Sequence, residues 1–182
     1  MGVWGVWESL PYSHTPTLPL HPRSARAIIP AMKFLADNML GRLATWLRLL
    51  GYDTAYLPEA DDPALARIAR AEDRVLLTRD VELTRRRGVR FVLIESEKIE
   101  EQLRQVFHAL GLTARQAFSR CAECNTPLDA ATKETVRDAV PPYVFQTQER
   151  FLRCPRCQRV YWRGTHWARM VEQMQDRLGD CR

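Results

Sequence analysis

Residues 33–38, Lys33-Phe34-Leu35-Ala36-Asp37-Asn38, run straight into a helical pattern formed by Leu40, Leu43, Ala44, Leu47 and Leu50 and closed by Gly51. A short apolar run ending in a carboxylate at a helix start is the repeating unit of an α/β sheet. Gly51 suits the left-handed residue that stops a helix. Residues 52–57 return to an extended pattern. Asp62 and Pro63 read as the N-cap and first helical residue of the next helix, with Leu65, Ile68 and Ala69 on its apolar face. Arg74-Val75-Leu76-Leu77-Thr78 reads as a buried strand, followed at once by Asp80. A strand over residues 89–94 and a helix over residues 97–110 complete the set. Four strand–helix repeats predict a small α/β domain on a mainly parallel sheet, spanning residues 32–118.

In such a sheet, ligands collect outside the carboxyl ends of the strands. Asp37 and Asp80 each follow a strand, Asp62 opens a helix, and Glu82 lies two residues past Asp80. Carboxylates gathered in one cleft repel each other unless a cation offsets them. The expected cation is hard and oxygen-loving, Mg2+ or Mn2+, able to activate water against a phosphodiester. Each acid also has a simpler role: Asp37, Asp62 and Asp80 suit helix caps, and Glu82 a solvated helix position. Asn38, Arg42, Arg48, Arg79 and Arg85 are candidate substrate contacts, since cations on a phosphate backbone supply affinity without sequence reading. A solvated face is the alternative for the run Arg85-Arg86-Arg87. No nucleophile elbow, phosphate-binding loop or dinucleotide fingerprint competes.

Residues 119–182 form a second module. Cys121-Ala122-Glu123-Cys124 and Cys154-Pro155-Arg156-Cys157 are two C-x2-C knuckles, and together they supply the four thiolates of a closed structural Zn2+ site. Pro141-Pro142 suggests a bend, with a strand over residues 143–145. Phe151-Leu152 leads into the second knuckle and Val160-Tyr161-Trp162 out of it. Arg163 and its neighbouring arginines, interleaved with aromatics, are candidate RNA contacts; packing of the module's own core is the alternative for Tyr161 and Trp162. Trp167, Met170, Val171 and Met174 suggest a last helix, and His166 is spare once four cysteines complete the site.

The 182 residues carry 27 basic against 22 acidic side chains, a formal charge of +5 that mildly favours a polyanionic partner. Cysteine pairing in C-x2-C units, without a secretory signal, points to a reducing, cytoplasmic setting rather than to disulfides. No stretch reaches membrane-spanning length. Residues 1–31, with five prolines and the isolated Trp4 and Trp7, read as a disordered leader.

The runs Phe34-Leu35-Ala36-Asp37, Gly41-Arg42-Leu43-Ala44, Trp46-Leu47-Arg48, Leu50-Gly51-Tyr52-Asp53 and Leu76-Leu77-Thr78-Arg79-Asp80, with both cysteine knuckles, resemble the Mut7-C ribonuclease domain family. The likeness covers residues 32–175. It implies a PIN-like three-layer nuclease fold fused to a C-terminal zinc ribbon, and a metal-dependent enzyme acting mostly on RNA. It also implies that Asp37 and Asp80 are the firmest Mg2+ or Mn2+ ligands, that Asp62 matches a family aspartate, and that Glu82 stands where relatives carry a second aspartate. Single-stranded DNA is not separated from RNA by any motif. An adaptor with a weak nuclease centre, or a ribbon that docks a protein partner, is the alternative.

Overall fold

In the computed structural model, residues 32–112 and 117–164 are described. The leader, His166 and the helix expected around Trp167 to Met174 lie outside them. The first part runs β1 (Lys33–Ala36), a 3-10 turn (Asn38–Leu40), α1 (Gly41–Leu49), β2 (Asp53–Tyr56) and α2 (Asp62–Ala71). It continues through β3 (Arg74–Thr78), α3 (Val81–Thr84), β4 (Phe91–Leu93) and α4 (Ile99–Leu110). The four strands are parallel, in the order β2-β1-β3-β4. β4 is shorter than the apolar run 89–94 predicts. Its ladder nevertheless extends at both ends, through Leu76 N–H to the Arg90 carbonyl and Ile94 N–H to the Thr78 carbonyl.

Strand alternation sorts the core into two layers. Phe34, Ala36, Val75 and Leu77 pack with Leu43, Leu47, Leu103 and Val106 of α1 and α4. Leu35 and Leu76 face the other way, onto Leu65, Ala69 and Leu83 of α2 and α3. The result is helices on both faces of a parallel sheet, as the strand–helix repeat predicts. Removing each such leucine from water contributes about 1.5–3 kcal/mol. α1 ends where expected: Gly51 takes φ +97° and Tyr52 N–H bonds back to the Leu47 carbonyl.

The second part holds β5 (Asp129–Ala131), a 3-10 segment (Glu134–Ala139), α5 (Pro142–Thr147), β6 (Phe151–Arg153) and β7 (Val160–Trp162). β5, β6 and β7 form an antiparallel sheet in that order. The strand expected over residues 143–145 is instead α5. Pro142 sits in its first turn, where no N–H is needed, and Phe145 N–H bonds to the Pro141 carbonyl at 3.0 Å. Val144 and Phe145, adjacent in sequence, both pack beside the Val136, Val140 and Phe151 cluster. Local sequence had no means of showing that surface.

Tyr56 joins the ends of β1 and β2 by donating its hydroxyl to the Asn38 carbonyl at 2.8 Å. A Cβ added at Gly41 would stand 2.9 Å from that ring and its oxygen. Gly41→Ala gains up to about 1 kcal/mol of helix propensity against about 1–3 kcal/mol for overpacking. The overpacking term wins: the urea midpoint is expected to fall at unchanged slope. A midpoint at or above the parental value would show that Tyr56 yields freely.

Candidate active site and metal centre

The chain leaves β1 for β2 on one side, then crosses to β3 on the other. The carboxyl ends of β1 and β3 therefore border the switch-point crevice of the sheet. Asp37 follows β1 directly and Asp80 lies two residues past β3. Asp37 is 6% exposed. Its Oδ1 accepts from the Asn38 N–H, and its Oδ2 accepts from the Thr78 hydroxyl at 2.7 Å. The same Thr78 oxygen accepts the Asp80 N–H at 2.9 Å. Thr78 thus locks both acids, a role sequence reading missed. The signal was present in the alternation, which puts Asp37 and Thr78 on the side of the sheet that Leu35 and Leu76 define.

Asp80 caps α3, accepting the Glu82 N–H at 2.7 Å. Asp37 caps the 3-10 turn. Each cap leaves lone pairs on the carboxylate for another partner. Asp62 is not the expected cap of α2. That role falls to Asp61, whose Oδ1 accepts the Ala64 N–H at 2.9 Å, and Asp62 becomes the first helical residue. Pro63 fits either the first or second position, so the sequence left the register open by one. Asp62 remains at the rim on the α2 side, its carboxylate released from capping. Glu82 is exposed and pairs with Arg85 at 2.7 Å. Among the described residues, none of Asp37, Asp62 and Asp80 enters an ion pair with Lys or Arg. Nor do three of these carboxylates bring their oxygens together as a metal cage.

The expected cationic contacts divide. Asn38 and Arg42 are exposed beside Asp37, at the start of α1. Arg79 reaches Glu97 at 3.1 Å. Arg85 is engaged by Glu82, in a solvent-screened pair worth little. Arg163 stands over the Phe118 ring, 5.9 Å from its centroid. Arg48 does not face the crevice. It is 6% exposed, and its Nε donates to the Thr54 carbonyl at 2.8 Å. Its Nη1 donates to the Ala122 and Glu123 carbonyls, each at 2.9 Å. Burial pushes the Arg48 pKa below its ordinary value, against the pull of Cys121 and Glu123. The substrate contact expected of Arg48 is therefore replaced by a structural one. Its position near the end of α1 carries it to the opposite end of the sheet from Asp37.

The four cysteines are the described group whose donor atoms converge, all within 4.8 Å of one another. Cys121 Sγ lies 3.7 Å from Cys124 Sγ and 3.6 Å from Cys157 Sγ, and Cys154 Sγ lies 4.0 Å from Cys124 Sγ. A tetrahedron with zinc–sulfur bonds of about 2.3 Å has edges of about 3.8 Å, so the cluster fits Zn2+. The two knuckles are built alike. The amides of Cys124 and Cys157 point at the first sulfur of their own unit, at 3.4 and 3.5 Å. The next residues, Asn125 and Gln158, turn back with φ of 61° and 63°. The Tyr161 hydroxyl sits 3.1 Å from Cys121 Sγ and accepts the Ala122 N–H. Burial alone would raise the Cys121 pKa, but hydrogen bonds from Tyr161 and two backbone amides outweigh it and bring it to about 7. Tyr161 is thus a fixed part of the metal centre.

The first knuckle is docked on β2, the edge of the large sheet. Asn125 Oδ1 accepts the Thr54 N–H at 3.0 Å, and its Nδ2 donates to Asp53 Oδ1 at 2.8 Å. Arg74 meets the same carboxylate at 2.7 Å. Burial opposes ionisation of Asp53, but hydrogen bonds from Arg74 and Asn125 hold its pKa below the usual carboxylate range. Asp53 lies opposite Lys33 in register, whereas Tyr56 lies opposite Ala36. The knuckle therefore sits at the amino end of the strands, about 13 Å along β1 from the carboxylate rim.

The molecule is thus an α/β protein with acids at its switch-point crevice and, on its sheet edge, a four-cysteine cluster that could hold a metal. The model of the Mut7-C RNAse domain family matches residues 32–174, and the chain belongs to that family. No curated protein and no solved structure gives a significant match. Among the described residues, no helix is long and apolar enough to cross a membrane.

Arg48→Met strands three carbonyls, and unpaired buried acceptors cost about 1–3 kcal/mol each. We expect a loss of about 3 kcal/mol in chemical denaturation and a 10–100-fold weaker hold on zinc against a chromogenic chelator. Arg42→Met, on an open face, is expected to stay within about 0.5 kcal/mol of the parent. Equal behaviour of the two variants would remove Arg48 from the joint between the two parts.

Proposed function

We propose that this protein is a metal-dependent ribonuclease of PIN-like type that hydrolyses phosphodiester bonds at the switch-point crevice. The observation that carries the reading is Asp37: a carboxylate held almost fully out of water, without a basic partner among the described residues, in a chain of the Mut7-C RNAse domain family. A buried anion of that kind is stabilised by a bound cation. Asp37 and Asp80, with Asp62 at the rim, would hold Mg2+ or Mn2+, and their oxygen donors suit a hard ion. The ion would acidify an attacking water and offset charge on the phosphoryl oxygens. Thr78 keeps Asp37 and Asp80 in fixed mutual orientation. Asn38, Arg42 and Arg79 would meet the flanking phosphates. The zinc ribbon, residues 119–182, would bind RNA from the amino end of the sheet rather than from above the crevice. A reducing, cytoplasmic setting would keep its thiolates available.

One observation favours the adaptor reading: Glu82 is turned to solvent and to Arg85, so the acidic set lacks a fourth inward member. The two readings part on catalysis. Zinc-loaded protein is expected to cut labelled single-stranded RNA when Mn2+ or Mg2+ is present and not without them. Removing a metal ligand forfeits several kcal/mol of transition-state stabilisation. Asp37→Asn or Asp80→Asn should therefore lower the rate by roughly 100-fold or more. Thr78→Val, acting through both acids, should cost about 10–100-fold, and Glu82→Gln only a few-fold. Unchanged cleavage in Asp37→Asn would overturn the carboxylate mechanism. Tight RNA binding with no cleavage under any metal would establish the adaptor.

A further inference from the structure

We propose that the outer surface formed by α2 and the turn after α3 is a track for the RNA strand leaving the crevice, with phosphates received by Arg67, Arg70, Arg86 and Arg87. All four arginines are exposed. Among the described residues, none of them enters an ion pair. The acids that follow α2 and lie on α3 are already engaged: Glu72 by Arg74, Asp73 by Arg90 and Glu82 by Arg85. Four guanidinium groups on this surface are thus left without an acid partner.

The fold itself gathers them. Arg67 and Arg70 are three residues apart on α2, a spacing that makes them neighbours on the helix surface. Arg70 Nη1 donates to the Arg87 carbonyl at 3.1 Å, and a Cβ added at Gly88 would stand 3.5 Å from Arg70 Cδ. Gly88 takes φ +72°, which lets the chain reverse there. The turn is also fixed from beneath. The N–H groups of Arg85 and Arg86 bond back to the Glu82 and Leu83 carbonyls. Val89 packs with Ile68 against the Leu65, Ala69 and Leu83 cluster. An arginine of α2 is therefore built into an arginine-bearing turn. Like charges held side by side repel. A bound polyanion relieves that repulsion and releases its own counterions, which drives association.

The direction of the surface identifies the polyanion. α2 opens at Asp62 and α3 is capped by Asp80, so both helices lead away from the carboxylate rim. Arg67 and Arg70 lie about 7 and 12 Å along α2 from Asp62. At a stacked rise of about 3.4 Å per nucleotide, that is two to four nucleotides from the crevice. Cations spread along a line suit a repeating phosphate better than a single small anion. They grip a backbone without reading its bases. Arg85 is left out of the track by its pairing with Glu82.

This inference rests on RNA being the polymer at the crevice, and it is tested by binding, so the two can fail separately. The parent for the test is Asp37→Asn in the full zinc-loaded chain, titrated across a salt series by fluorescence anisotropy with labelled homopolymeric single-stranded RNA. The paired Arg67→Gln, Arg87→Gln variant is expected to bind about tenfold more weakly at low salt. It should flatten the dependence of log affinity on log salt by about 0.7 for each arginine. The glutamine at position 87 keeps the backbone carbonyl that holds Arg70. A paired Lys33→Gln, Arg104→Gln control removes the same charge from exposed positions on β1 and on α4, which packs on the other face of the sheet. It is expected to leave the slope unchanged. Arg67→Lys with Arg87→Lys, which keeps the charge, should bind within about twofold of the parent. Zinc content and melting temperature of each variant identify any that has lost its fold.

An unchanged slope in the folded Arg67→Gln, Arg87→Gln variant overturns the proposal. So does an equal loss in the control, which would assign the effect to net charge. Vesicles containing phosphatidylserine are titrated in parallel. Binding to them that needs the two arginines, while RNA binding does not, would assign the surface to a membrane and overturn the track. Arginine-dependent RNA binding in a protein that never cleaves removes the ribonuclease reading alone. Metal-dependent cleavage with arginine-independent binding removes the track alone.

Discussion

One buried guanidinium lies at the centre of the joint between the two halves of this protein, where Asn125 also bonds to β2. Arg48 lies in the last turn of α1, and its donors satisfy one carbonyl of the sheet edge and two of the first cysteine knuckle. Thr54, the residue at that edge, gives its carbonyl to Arg48 and its N–H to Asn125. An edge strand with open N–H and C=O groups invites pairing with another chain. Here the knuckle closes the edge at that point, using one side chain from each half. The arrangement is also electrostatic. A zinc ion held by the four thiolates would carry a net charge of about −2, and Arg48 would be the buried cation facing it. Removing either partner leaves the other desolvated and unmatched. The fold of the knuckle and the position of the sheet edge are therefore one problem.

That joint fixes where chemistry can occur. The knuckle covers the amino end of β2, while Asp37 and Asp80 stand past the carboxyl ends of β1 and β3. The parallel sheet separates them as a rigid spacer, packed on both faces by apolar clusters. A metal held by the four cysteines would not supply a ligand position to the crevice, and four sulfurs would leave no open coordination site. The acids, in turn, owe their positions to strand register alone, with Thr78 converting register into a hydrogen-bonded pair.

Much of this was legible in the chain. β1 and β3 begin and end where their apolar runs do, because a buried parallel strand must be apolar on both faces. The cysteine spacing predicted the four-sulfur cluster. What failed was the assignment of polar residues whose partners are remote. Arg48 shares its helix with one other arginine, Arg42, and nothing local distinguishes the two. Two of its three bonding partners lie 74 and 75 residues away. Thr78 reads as an ordinary strand end until Asp37 is set beside it. The segment at Pro142 was read as extended because it is short and rich in β-branched and aromatic side chains. The prolines proved to start a helix, and tertiary packing against Val136 outweighed that local preference.

The contrast between the acids carries the last step. Glu82 and Asp53 have arginine partners, as carboxylates in folded proteins commonly do. Asp37 is more buried than either, yet its bonds are to an amide and a hydroxyl. Neutral donors orient a carboxylate, but they do not cancel its charge, and burial makes that charge costly. A protein needing only a helix cap at this position would be served by an exposed aspartate, as Asp61 serves α2. An aspartate buried at the switch point of a parallel sheet, beside a second acid fixed by the same threonine, is what the proposed cation site would require.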